Sequence, residues 1–163
     1  MRLIEAFEKL DRGDLSLVMA GSDWKDAQVV HARAAASPLA SRILFPGFME
    51  TADLREAYAS SAVYVFPSLF EGFGNSLVMA MEAGAACACS DNGALGEIAG
   101  DVAETFPPED TGAMADAIKR MLDEPPTVRE ARIARGKAHA AEFSWTNHAR
   151  GLVKLLESGL ETR

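Results

Sequence analysis

The stretch Pro67-Ser68-Leu69-Phe70-Glu71-Gly72-Phe73-Gly74-Asn75-Ser76 gathers the residue types best suited to chemistry in this sequence. It lies between a run rich in β-branched and aromatic residues, Ala62–Phe66, and a run of helical periodicity, Leu77–Ala83, that Gly84 closes. Gly72 and Gly74 let the main chain approach a ligand closely. The first-turn amides near Asn75, Ser76 and Leu77 have no intrahelical acceptor. Those amides and the helix dipole together favour a phosphate. Glu71, just ahead of that anion site, would accept hydrogen bonds from hydroxyls on whatever the phosphate carries. The same residues also fit a tight strand-to-helix turn with an exposed glutamate, because a short glycine-rich turn is weak evidence by itself.

The elements that must position this loop alternate between helical and strand periodicity. Leu3, Ile4, Phe7 and Leu10 recur at helical spacing, and Leu15–Ala20 is a short buried strand. Ala27–Ala36 is a helix that Ser37-Pro38 stops, since the residue before proline avoids the α region. Ile43–Phe45 is the next strand, and Asp53 with Glu56 has capping-box spacing for the helix after it. Ala62–Phe66, Ala86–Cys89 and Ala103–Phe106 complete the predicted strands. Asn75 or Ser76 is expected to cap the helix after the glycine loop, and Thr111 the helix carrying Met114, Ile118, Met121 and Leu122. Thr127 with Glu130 opens an Ala/Arg-rich helix to about Ala141, and Ser144 begins the last one. Strands separated by helices require crossover connections, hence an α/β fold with a parallel sheet and helices on both faces. In such sheets ligands collect at the carboxyl ends of the strands, where the glycine loop sits.

The chain has 163 residues, about one domain's worth, and a net charge of −8 from 16 basic and 24 acidic side chains. That balance disfavours nucleic acid and anionic lipid as partners. Apolar runs such as Ala85–Cys89 fall far short of the roughly 20 residues that span a bilayer. Two cysteines cannot build a disulfide framework, so a reducing cytoplasm is the expected location. Cys87 and Cys89 alternate on a strand and are expected to be buried apolar thiols, since a structural zinc site needs four ligands. His31, His139 and His148 lie in helices without a clustered partner. Trp24 and Phe48 could frame a base, though single aromatics usually pack. Arg129, Arg132 and Arg135 are expected to form a solvated helix face.

Pro67 to Gly74, followed by Leu77-Val78, Ala80-Met81 and Gly84, resembles the signature of the group 1 (family 4) GT-B glycosyltransferases. Ser90-Asp91-Asn92-Gly93-Ala94-Leu95-Gly96-Glu97-Ile98 resembles that family's loop after the next strand, and Phe143-Ser144-Trp145 its entry into the C-terminal helix. The resemblance covers nearly the whole chain. It implies a C-terminal, Rossmann-like donor-binding domain, with a nucleoside-diphosphate sugar as donor, a retained anomeric configuration and no bound metal or other cofactor. Carried over by position, Glu71 is the catalytic-site carboxylate that contacts the donor sugar's hydroxyls. Gly72, Phe73 and Gly74 would line the sugar pocket, and Asn75, Ser76 and Leu77 would offer N–H groups to the diphosphate. Gly47 and Phe48 would hold the base.

Two departures from the family pattern change the expectation. Where the family has a second glutamate, reading the ribose, this chain has Met79; losing a charge-assisted pair of that kind costs about 2–4 kcal/mol. Glu82, nearly one turn along, is the one nearby carboxylate that could substitute. The other reading is that Met79 packs and nucleotide binding weakens. The chain also begins inside a helix that, in the family, follows a central strand and an N-terminal acceptor domain. The Leu15–Ala20 and Ala62–Phe66 strands are therefore expected to flank a gap with unpaired edges, to be filled by an N-terminal glycosyltransferase domain or a second copy. The isolated chain is expected to be inactive. A truncated, non-catalytic remnant or interaction module that keeps the fold is the alternative function.

Overall fold

A computed structural model describes residues 1–10, 12–23 and 25–161, with backbone only for 159–161. Trp24 therefore lies outside the described residues. Among the described residues five strands alternate with helices and three helices close the order: α1 (Arg2–Lys9), β1 (Leu17–Ala20), α2 (Ala27–Ala35), β2 (Ile43–Gly47), α3 (Thr51–Ser60), β3 (Tyr64–Phe66), α4 (Asn75–Ala83), β4 (Cys87–Ser90), α5 (Leu95–Ala99), β5 (Glu104–Phe106), α6 (Thr111–Leu122), α7 (Pro126–Ala140) and α8 (Trp145–Glu161). No helix among the described residues is long and apolar enough to cross a membrane.

All strand pairs are parallel, in two sheets. β1 pairs with β2, Leu17 opposite Ile43 and Val18 opposite Leu44. In the other sheet the order is β3-β4-β5, with Tyr64 opposite Cys87 and Ala88 opposite Glu104. Among the described residues β1 and β3 do not pair, and each keeps one edge without a strand partner, as the gap expectation requires. Helix α1 holds the two sheets together. Its Ile4 and Phe7 are buried with Ala34 and Ile43 against Leu15, Leu17 and Met19. Its Ala6 packs with Ala88, Phe106, Met114 and Ile118, with Val63 and Val65 alongside. Burying Ile4 and Phe7 contributes about 1.5–3 kcal/mol each on the side of the two-stranded sheet, while Ala6 faces the other.

Strand β4 shows why the sheet is covered on both faces. Successive side chains point to opposite sides, and all four of its residues are buried. Cys87 and Cys89 enter the core made with α4, α5 and α7, through Leu77, Met81, Leu95, Ile98 and Ala140. Ala88 enters the opposite core, made with α1 and α6. The expected parallel α/β architecture with helices on both faces is therefore present, and it is Rossmann-like.

Several local expectations are corrected. Helix α3 starts at Thr51, so Asp53 lies in its first turn rather than at its cap. Helix α6 is capped by Asp110, whose carboxylate accepts from Gly112 N–H and Ala113 N–H at 2.9 Å, and not by Thr111. Pro126 opens α7, which suits proline because its missing N–H would have no partner there; the Thr127–Glu130 pair makes no capping box. Ser144 does begin α8, its hydroxyl accepting from Asn147 N–H at 3.2 Å. The arginines of α7 form a solvated face only in part: Arg135 is exposed as expected, whereas Arg129 and Arg132 are half-buried. Arg132 is only 16% exposed at its side chain and donates to Glu124 at 2.8 and 2.5 Å. Arg129 donates to the carbonyls of Met121 and Ala62, and Arg135 lies 3.8 Å from Asp101.

Where β3 hands over to α4, Gly74 occupies the cap position with φ +99°, a conformation other residues rarely adopt. A Cβ there would lie 2.6 Å from Leu95 Cδ2. Replacing Gly74 by alanine is expected to destabilise the fold by about 2 kcal/mol through strain and overlap, which denaturant unfolding would measure. The two thiols make a second prediction. Burial pushes the Cys87 and Cys89 thiols up to about 12, against about 8.5 in an unfolded chain. The unfolded chain thus releases these protons first, so their contribution is intact at neutral pH and lost as pH rises from about 8.5 towards 12. A thiol reagent at pH 8 is expected to label both cysteines only after denaturation.

Candidate functional site

The loop after β3 and the first turn of α4 form the candidate site at the carboxyl end of the three-stranded sheet. Among the described residues Asn75 N–H and Ser76 N–H find no acceptor, as helix geometry dictates at that end. Leu77 does not join them. Its N–H donates to Gly74 O at 2.9 Å, and its side chain is fully buried. The three amides expected from the sequence are thus two. Their peptide dipoles still make the helix start electropositive.

Glu71 is half-buried beside this turn, and its Oε1 accepts a hydrogen bond from the Ser68 hydroxyl at 2.9 Å. Among the described residues no donor reaches the other carboxylate oxygen, Oε2, which leaves it to a ligand hydroxyl. At Gly72, a Cβ would meet nothing within 4 Å, so its absent side chain leaves open space rather than serving internal packing. Phe73 leans edge-on against Phe143, ring centroids 5.8 Å apart, which links the loop to the end of α7. Ser76 turns its hydroxyl inward, where it interacts with the phenol of Tyr64; burial, reinforced by Tyr58, pushes that phenol far up.

The loop after β4 lies directly against the glycine loop. Asn92 Nδ2 donates to Leu69 O at 2.7 Å, and Ala94 N–H donates to Glu71 O at 3.2 Å. Sequence reasoning placed Asn92 and Gly93 in a family-like motif without assigning them a role; their contacts reach back more than 20 residues, which local spacing does not encode.

The remaining predicted residues fall in other places. Met79 is half-buried and packs against the core of Leu77, Met81 and Leu95. Glu82 is ion-paired with Arg55 on α3 at 2.9 Å, so the one nearby carboxylate is committed elsewhere. Gly47, with φ +77°, ends β2 and accepts a hydrogen bond from Gly21 N–H at 2.9 Å. Phe48 follows it in the loop after β2, 69% exposed. His31 bonds to Asp23 at 2.9 Å and His139 to Ile98 O at 3.0 Å. Among the described residues no three His, Cys, Asp or Glu side chains come together as a metal ion would need.

Known proteins with this pattern are consistent in kind. Residues 1–124 match the family model for glycosyl transferases group 1. Over 105 residues the chain is 36% identical to the O-antigen chain mannosyltransferase B of Escherichia coli, covering 64% of this chain and 27% of that protein. Over 149 residues it is 30% identical to the 2-deoxystreptamine glucosyltransferase of Streptomyces kanamyceticus, covering 90% of this chain and 38% of that one. Among solved structures, sucrose-phosphate synthase of Thermosynechococcus elongatus superposes with a TM-score of 0.81 at 26% identity, over 99% of this chain and 42% of that one. Anabaena HepE, solved in complex with UDP and glucose, gives 0.81 at 21% identity over 96% of this chain and 44% of that one, a likeness of fold. The chain thus spans less than half the length of each of these relatives. With three quarters of its length matched by the family model and the Glu71–Gly74 loop set on a Rossmann-like sheet, the chain belongs to the group 1 glycosyltransferases of GT-B type.

Proposed function

We propose that this chain binds a nucleoside-diphosphate sugar, as the donor-binding half of a retaining glycosyltransferase that passes the sugar to an acceptor hydroxyl. The observation that carries this reading is the pair of unpartnered amides, Asn75 and Ser76, beside the half-buried carboxylate of Glu71. The diphosphate would lie on the two amides and the positive end of α4. As the bond to the sugar breaks, negative charge grows on the departing diphosphate, and donors already fixed in place need no reorganisation to meet it. Glu71 would receive the sugar hydroxyls through its free Oε2, while Ser68 keeps the carboxylate turned towards the pocket. The open space at Gly72 leaves room for the sugar. Gly47 and Phe48 would support the base from the end of β2.

The activities of the relatives, mannosyl and glucosyl transfer, favour a hexose as the transferred group. HepE, solved with UDP and glucose, supports a nucleotide sugar as the donor class. No metal enters this mechanism; the amides and the helix dipole carry the charge. A second domain, supplied by the rest of a longer enzyme or by another copy, would close the cleft over the donor and bring the acceptor.

A second reading rests on Met79: the fold persists as a non-catalytic remnant or interaction module, with the ribose contact gone. A thioether packed on the core cannot accept two hydroxyl bonds.

Isothermal titration with uridine, guanosine and adenosine diphosphate sugars tests the first reading, on the chain alone and joined to an N-terminal acceptor domain. One donor is expected to bind, and Glu71→Gln to weaken it by about 1.5–3 kcal/mol, roughly ten- to a hundredfold. A folded sample that binds none of them in either form overturns it. Met79→Glu is expected to tighten binding of the same donor severalfold; an unchanged affinity would show that the position no longer matters.

A further inference from the structure

Apolar cover over residues 69 to 72 of the glycine loop is thin, the Phe73–Phe143 ring contact lying beyond them. Leu69 is 49% exposed and Phe70 73% exposed, and nothing lies within 4 Å of where a Cβ of Gly72 would be. A carboxylate on such a loop would sample many positions, and a catalytic or binding group must be held to within about 0.5 Å to act. The restraint comes from the loop after β4, and it is polar. Asn92 Nδ2 donates to Leu69 O at 2.7 Å while Asn92 Oδ1 accepts from Gly93 N–H at 2.8 Å. The two bonds fix the amide's orientation, because a flipped amide would set oxygen against carbonyl and NH₂ against N–H. Ala94 N–H donates to Glu71 O at 3.2 Å.

Gly93 makes the close approach possible. With φ +61° it brings its Cα so near the Glu71 main chain that a Cβ would lie 2.7 Å from Glu71 O and 3.3 Å from Glu71 N. Residues 69 to 71 are thus held at both ends from a second strand-end loop, by the Asn92 side chain at Leu69 O and by Ala94 N–H at Glu71 O. That leaves Ser68, at 2.9 Å from Oε1, to set the carboxylate itself.

We propose that Asn92 is the positioning residue for Glu71: its side-chain amide, acting through Leu69 O and seconded by Gly93, fixes the loop backbone that aims the carboxylate into the donor pocket. This rests on the donor-site reading above. Asn92 itself touches no substrate, so its effect passes through Glu71.

The test is a double-mutant cycle on donor affinity, using the full chain and the donor that titrates best. Asn92→Ala is expected to weaken binding about five- to tenfold, as loss of a well-placed hydrogen bond does. Asn92→Asp is expected to weaken it at least as much, although it keeps the acceptor for Gly93 N–H, because at neutral pH it turns a carboxylate towards Leu69 O. In a Glu71→Gln background, Asn92→Ala is expected to change affinity less than twofold. Equal effects in both backgrounds would show that Asn92 acts independently of Glu71 and would overturn the proposal. Full affinity in Asn92→Asp would do the same.

Hydrogen exchange gives a readout that needs no ligand. The amides of Phe70, Glu71 and Gly72 are expected to exchange faster in Asn92→Ala, with the thermal midpoint unchanged, since Asn92 is exposed. Unchanged exchange overturns the proposal; loss of folding in both variants assigns Asn92 to the fold and overturns it equally. If the parent chain binds no donor while Asn92→Ala still loosens those amides, the donor-site reading has failed and the loop restraint stands.

Discussion

Gly74 sits at φ +99° with no room for a side chain beside Leu95, and the site depends on this turn. The strand before it delivers the loop to the carboxyl edge of the sheet, and the helix after it begins one residue later. Only a residue free to take a left-handed conformation can change direction that sharply. The consequence is positional: the two unpartnered amides of Asn75 and Ser76 sit where the loop carrying Glu71 comes to an end. Leu95, from the helix after β4, packs into the space that a Cβ would occupy, so the turn is also a packing contact between neighbouring crossovers.

Two kinds of restraint divide the work around that turn. Below it, the core is apolar, with Leu77, Met81, Cys87, Cys89 and Leu95 buried together, and α4 is held by this packing. Above it, the loop is largely exposed and is held mainly by hydrogen bonds, Asn92 to Leu69, Ala94 to Glu71 and Ser68 to Glu71, with Phe73 resting on Phe143. The helix that would present amides to an anion is therefore rigid, while the carboxylate-bearing segment is held by contacts worth about 1 kcal/mol each. Such a loop can adjust to a ligand more easily than the helix beneath it.

Met79 and Glu82 show how burial decides what a helix face offers. Both lie on α4, one turn apart. Met79 is drawn into the core, as a flexible thioether readily is. Glu82 is turned outward to Arg55. With one side chain apolar and the other already paired, α4 presents no free carboxylate at the position where the family pattern has one. Glu71 is left as the acidic group beside the amide pair.

The residue order alone determined the alternation of strands and helices, because apolar periodicity is a local property; Leu3 to Leu10, Ala62 to Phe66 and Leu77 to Ala83 fall close to the observed elements. It also determined the glycine loop, since Glu71-Gly72-Phe73-Gly74 is contiguous, and the pairing of Cys87 with Cys89 on one face, since strand side chains alternate. Tertiary structure decided the rest. Short helix α5 has too few residues to carry a period. The choice of Asp110 over Thr111 as a cap depends on one backbone dihedral. Arg132 meets Glu124, Glu82 meets Arg55 and Asn92 meets Leu69 across 8, 27 and 23 residues of chain. Contacts over such separations are set by how sheets and helices pack, and spacing along the chain does not record them.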